Sequence, residues 1–132
     1  MEQVNLLAVG AAALSTFLIG GLWYSPALFA KPWMALNGFT EEDLKSANMV
    51  RTFGISFLCS VVIAFNLSAF LGNESSLAFD TIAGFATGFG WVAMSMGMVY
   101  TFERKPLKLW LINAGYHVVA YTLMGLIIGL IQ

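Results

Sequence analysis

Four long runs without a charged residue dominate this chain: Val4–Ala30, Thr52–Asn73, Thr81–Phe102 and Leu109–Gln132. A helix needs about 20 apolar residues to cross the hydrocarbon core of a bilayer, and each run supplies them. Of the 132 residues, 59% are hydrophobic and 10% charged, whereas a soluble domain carries roughly a quarter charged residues. A soluble domain of this length also has too little interior to bury four such runs. The expected architecture is therefore an all-α polytopic membrane protein. It is a four-transmembrane-helix bundle with a short cytoplasmic, interfacial helix between spans one and two. The spans fall at about 4–24, 52–71, 81–102 and 107–131, with loops at about 25–51 and 103–106, in one membrane domain over 1–132.

The six basic residues decide orientation. Lys31, Lys45 and Arg51 lie between spans one and two. Arg104, Lys105 and Lys108 lie between spans three and four. No Lys or Arg stands before the first run, between the middle runs or after the last. The excess of Lys and Arg in cytoplasmic loops puts both basic loops on the cytoplasmic side of the cell membrane and both termini outside. The first run lacks a basic stretch before it and a small-residue cleavage site after it, so it is expected to remain as a span.

Punctuation along the chain fits this layout. Pro26 forbids regular helix beyond Tyr24. The stretch Ala27–Leu36 mixes apolar bulk with one charge, as an interfacial segment does. Thr40 with Asp43 forms a capping box for a short polar helix over Glu41–Asn48. Small residues recur at every fourth position in span two: Ser56, Ser60, Ala64 and Ser68. Span three holds Gly84 and Gly88, Ala86 and Gly90, and Ala93 and Gly97. Span four closes with Gly125 and Gly129. Such stripes let membrane helices approach closely, within the chain or in a homo-oligomer.

Chemistry has few places to sit. Asn113, His117 and Tyr121 share one face of span four, with Tyr116 beside them. At 1.5 Å per residue, His117 lies roughly 15 Å in from Leu107, near midplane depth. Polar groups there are costly unless paired and mark functional sites; Asn66 in span two is a candidate partner. These five residues form a candidate site for a small molecule, ion or lipid. The plainer alternative is structural hydrogen bonding between helices. A second set gathers at the cytoplasmic interface: Trp23, Tyr24, Lys31, Trp33, Glu103 and Arg104, suited to anchoring or to anionic headgroups. Glu103 is expected to pair locally or with Lys31 or Arg51.

Other chemistries lack their residues. There is no Ser/His/Asp set, paired carboxylate, phosphate loop or multi-ligand metal motif, so no catalytic residue, metal or cofactor is expected. Met94 and Met98 share a face and suit a soft ion such as Cu(I), but no Met or His tract feeds them. A net charge of −1 argues against nucleic acid. The single Cys59 precludes an intrachain disulfide and is expected to be a small buried residue.

Two blocks carry a family resemblance. The segment Trp23-Tyr24-Ser25-Pro26, continuing through Leu28, Phe29, Lys31, Trp33 and Met34, is one. Phe102-Glu103 with Leu111-Ile112-Asn113-Ala114-Gly115-Tyr116-His117 is the other. Together they resemble the DUF1761 family of bacterial integral membrane proteins, over essentially the whole chain. The resemblance implies a small four-span membrane protein and brings no activity, cofactor or substrate with it. Two function classes follow: a protein that binds or translocates a ligand within the bundle, or an accessory subunit that oligomerises or binds another membrane protein.

Overall fold

The computed structural model describes residues 4–132, and all its regular elements are helical. Four helical segments are long and apolar enough to cross a membrane. The first is α1 (Leu6–Trp23), capped by the Asn5 side chain, which accepts from the backbone N–H groups of Leu7 and Ala8. Two short helices follow, α2 (Ala30–Asn37) and α3 (Glu41–Ser46). Gly38, at φ 72°, closes α2 in the left-handed conformation that glycine adopts without penalty. The Thr40–Asp43 capping box opens α3, as its sequence predicts.

The second span is α4 (Met49–Leu71). The third begins with α5 (Leu77–Ala86), passes through a π-helical segment (Thr87–Ala93) and ends as α6 (Met94–Phe102). The fourth is α7 (Leu107–Ile131). The π segment has no signature that periodicity alone reveals. Its Gly88 lies so close to α7 that a Cβ there would stand 3.0 Å from the His117 carbonyl oxygen.

α7 is the hub. It packs along α1 on one side and along α5 and the π segment on the other, while α4 packs chiefly on α1. The small stripes explain these choices. Ser60, Ala64 and Ser68 of α4 are buried, and Ala64 joins Ala8, Ala12 and Ala13 of α1 in the core. Thr16 and Ser60 hydroxyls meet across that seam at 2.9 Å. Gly84 and Gly88 face α7, whose Gly125 and Gly129 face α5. Packing drives helix association in lipid, so small residues line the helix seams while many large ones face outward. Leu18, Phe70, Ile82 and Trp91 are all exposed. Cys59 is exposed as well, contrary to the expectation of burial: it lies off the Ser60–Ala64–Ser68 seam, on the outer side of α4.

Hydrogen bonds define the two ends of the bundle. Gln132 accepts from the Asn5 backbone and the Ser68 hydroxyl, and its amide donates to the Gly72 carbonyl at 2.7 Å. The helix ends around Asn5, Gly72 and Gln132 are thus gathered together. Both basic connections lie at the opposite end.

Candidate functional site

Near the basic end, the close of α1 is bound to the first half of α7. Asn113 is the junction. Its side-chain carbonyl accepts from the Tyr24 hydroxyl at 2.8 Å, and its amide donates to the Tyr100 hydroxyl at 2.9 Å. One carboxamide therefore ties α1, α6 and α7. The Trp23 indole donates to the Ile112 carbonyl at 2.8 Å, one residue away. Trp110 donates to the Ala93 carbonyl at the end of the π segment, at 2.9 Å. Tyr116 stacks at a tilt on Tyr24, with centroids 5.6 Å apart, and donates to the Thr16 carbonyl at 3.0 Å. Gly20 leaves room for that ring. The side chains of Asn113 and Tyr116 are thus engaged within the chain, as interhelical bonds in lipid are.

His117 is different. Its ring lies between those of Tyr116 and Tyr121, at 5.0 and 6.3 Å. It makes no side-chain hydrogen bond to any described residue. No metal-binding group of three His, Cys, Asp or Glu side chains exists among the described residues.

Tyr121 leads away from this network. It lines a lateral groove of about 680 Å³ between α4 and the α5–π face. The groove exists because α4 packs on α1 and barely approaches α5. Its walls are Val62, Ile63, Leu67, Phe70, Phe79, Ile82 and Trp91, with Asn66 and Thr87 among them. Asn66 is therefore joined to Tyr121 by a shared cavity and is not joined to Asn113. Its amide donates to the Val62 carbonyl of its own helix at 2.8 Å, leaving its side-chain oxygen without a partner among the described residues. The Tyr121 side chain is 9% exposed, yet its hydroxyl has no such partner either. No fully buried side-chain polar atom lacks one among the described residues, so the hydroxyl keeps some exposure, and Tyr121 is among the residues that line the groove.

A family model described as "Protein of unknown function (DUF1761)" matches residues 7–129. The chain belongs to the DUF1761 family. No curated protein and no solved structure matches it. Both blocks that carried the resemblance meet in this DUF1761 protein, through the Trp23–Ile112 and Tyr24–Asn113 bonds.

The interfacial set divides. Trp23, Tyr24 and Trp33 turn toward the protein: Trp23 contacts Phe29 at 5.0 Å, and Tyr24 contacts Trp33 at 5.6 Å. This cluster ties α2 to the end of α1. Lys31 is exposed on α2. Glu103 pairs locally, 3.9 Å from Lys105, an exposed contact of small energetic weight. Arg104 adopts φ 58°, where a non-glycine residue is strained by roughly 1–2 kcal/mol.

One residue escaped the sequence reading. Asp80, at the edge of the third run, reads as a loop acid. In the DUF1761 protein it lies in the first turn of α5 and is 2% exposed. Its carboxylate accepts from the Ser75 hydroxyl. It packs on α7 at Gly129, where a Cβ would stand 2.9 Å from Oδ2. The Gly125-x-x-x-Gly129 spacing was the available signal: a cleft of that kind needs an occupant on the facing helix.

Proposed function

We propose that this DUF1761 protein binds an amphiphile, an apolar molecule with one hydrogen-bonding group, in the groove between α4 and α5. The Tyr121 hydroxyl and the Asn66 side-chain oxygen receive the polar group. The aliphatic and aromatic walls hold the apolar body. One observation carries this reading: Tyr121, nearly buried and with a hydroxyl that has no partner among the described residues, lines an apolar groove. Polar groups inside a membrane are costly unless satisfied, and a ligand can satisfy this one. Asn113 and Tyr116 support the site by holding α7 against α1. His117, beside Tyr121, sets that ring's position. Movement of the ligand between leaflets is the stronger form of the same proposal.

Orientation belongs to this reading. All six Lys and Arg residues lie in the two connections at one end or in the first turn of the helix that follows, and the basic end is the cytoplasmic one by the positive-inside rule.

A second reading has its own observation. Most small faces are taken up within the chain, but Gly90 has open space where its Cβ would be, and Ala86 on the same face is exposed. A helix of a second copy, or of a partner membrane protein, could lie there and close the groove.

A photoactivatable fatty acid distinguishes the two. In detergent-purified protein, cross-links are expected to cluster between Val62 and Phe70 and between Phe79 and Trp91. Ala86→Phe, which fills the groove, removes them, and Tyr121→Phe weakens them. Cross-links spread evenly over all four spans, or untouched by Ala86→Phe, defeat the proposal. Dimer-specific cross-links at Gly90→Cys, absent in the Ala86→Phe variant, favour the second reading.

A further inference from the structure

A second groove lies against the last part of the third span, near the basic end. It has a volume of about 750 Å³ and runs between α6 and the start of α7. Met94, Met98, Phe102 and Leu107 wall it, and Arg104 and Lys105 stand among its lining residues. From Met94 to Phe102 the wall rises about 12 Å at 1.5 Å per residue. The site thus has a long apolar body and an end with two cations, of which Lys105 lies 3.9 Å from the Glu103 carboxylate in an exposed pair and Arg104 is unpaired among the described residues.

We propose that Arg104 and Lys105 hold the phosphate of an anionic phospholipid whose acyl chains lie in this groove. Charge complementarity selects the occupant. Acyl chains match the methionine and aromatic walls, and phosphate matches a guanidinium, which can bind it through two parallel hydrogen bonds. Arg104 is free for that role: its guanidinium has no ion pair or hydrogen bond to a described residue. Lys105 is held over the Tyr100 ring, 5.8 Å from its centroid, which keeps its ammonium beside the groove. The backbone points the same way. Arg104 takes the left-handed conformation at φ 58° in the turn after α6, a position where glycine is the unstrained choice. Strain of this kind collects at ligand contacts. The site is separate from the α4–α5 groove, so each can fail alone.

The test is native mass spectrometry of the full chain from micelles holding equal phosphatidylcholine and phosphatidylglycerol. The wild type is expected to retain phosphatidylglycerol preferentially. Arg104→Gln with Lys105→Gln should reduce that preference at least about tenfold, while the charge-matched Lys45→Gln with Arg51→Gln keeps it. Arg104→Gly removes the charge while relieving the backbone, so it should lose selectivity with its Tm unchanged or raised. Excess inorganic phosphate should leave retention intact. Equal retention of the two lipids overturns the proposal, as does equal loss in the Lys45/Arg51 control. Displacement by phosphate alone also overturns it, because the acyl groove would then contribute nothing.

Discussion

Gly84 and Gly125 meet across the seam between α5 and α7. A Cβ on Gly84 would stand 2.3 Å from the Tyr121 carbonyl oxygen, and one on Gly125 would stand 2.3 Å from the Asp80 carbonyl oxygen. Each built Cβ would also lie 3.3 Å from the other glycine's Cα. The obstacles are backbone atoms, which no rotamer change can clear.

Gly84→Ala and Gly125→Ala are therefore expected to force the helices apart and destabilise the protein by about 2–3 kcal/mol each. Gly54→Ala is the control. Nothing lies within 4 Å of its would-be Cβ in the second turn of α4, so alanine should be neutral or stabilising by up to about 1 kcal/mol. Unfolding in mixed micelles with rising SDS measures all three. If Gly84→Ala and Gly54→Ala behave alike, the close-crossing account is wrong.

The Tyr24–Asn113 bond should show as energetic coupling. Asn113→Ala removes two interhelical hydrogen bonds and is expected to cost about 1–2 kcal/mol. Tyr24→Phe removes one. The double-mutant cycle should return a coupling of about 0.6 kcal/mol, the average for interhelical bonds in a membrane protein, and no more than about 1.7 kcal/mol. Strict additivity would place the two side chains in separate environments.

Asp80 should tolerate a change of charge better than a change of shape. Asp80→Asn keeps an acceptor for Ser75 and a similar volume beside Gly129, so its unfolding midpoint should stay near wild type. Asp80→Leu leaves the Ser75 hydroxyl without that acceptor and presses a branched chain on Gly129, at an expected cost of about 2–3 kcal/mol. An Asn variant as unstable as the Leu variant would mean that the charge itself is required.

Sidedness is directly measurable in a Cys59→Ala background. That exposed cysteine can be removed at a cost within about 0.5 kcal/mol. Lys45→Cys should react with a membrane-impermeant maleimide only after cells are opened, and Glu74→Cys in intact spheroplasts. The reverse pattern would invert the proposed orientation.

The sequence by itself determined the class of fold. Uninterrupted apolar runs of bilayer length leave helices as the elements that cross a membrane, and their number and rough ends follow from charges and Pro26. Local chemistry also fixed the Thr40 capping box, because a cap depends on residues three apart. The sequence pattern placed Asn113, Tyr116, His117 and Tyr121 on adjoining faces of one helix for the same reason. Tertiary structure decided what those faces meet. Which helix packs on which depends on small-residue seams whose partners lie far apart in sequence. Their pairing put Asn113 against Tyr24 and Tyr100, sent Tyr121 to a groove shared with Asn66, and buried Asp80 beneath Gly129. The left-handed Arg104 and the π segment also stayed hidden, because neither residue type nor periodicity marks them. In lipid, apolar surface is no guide to the interior, so close packing selects the partners, and that selection is visible only in three dimensions.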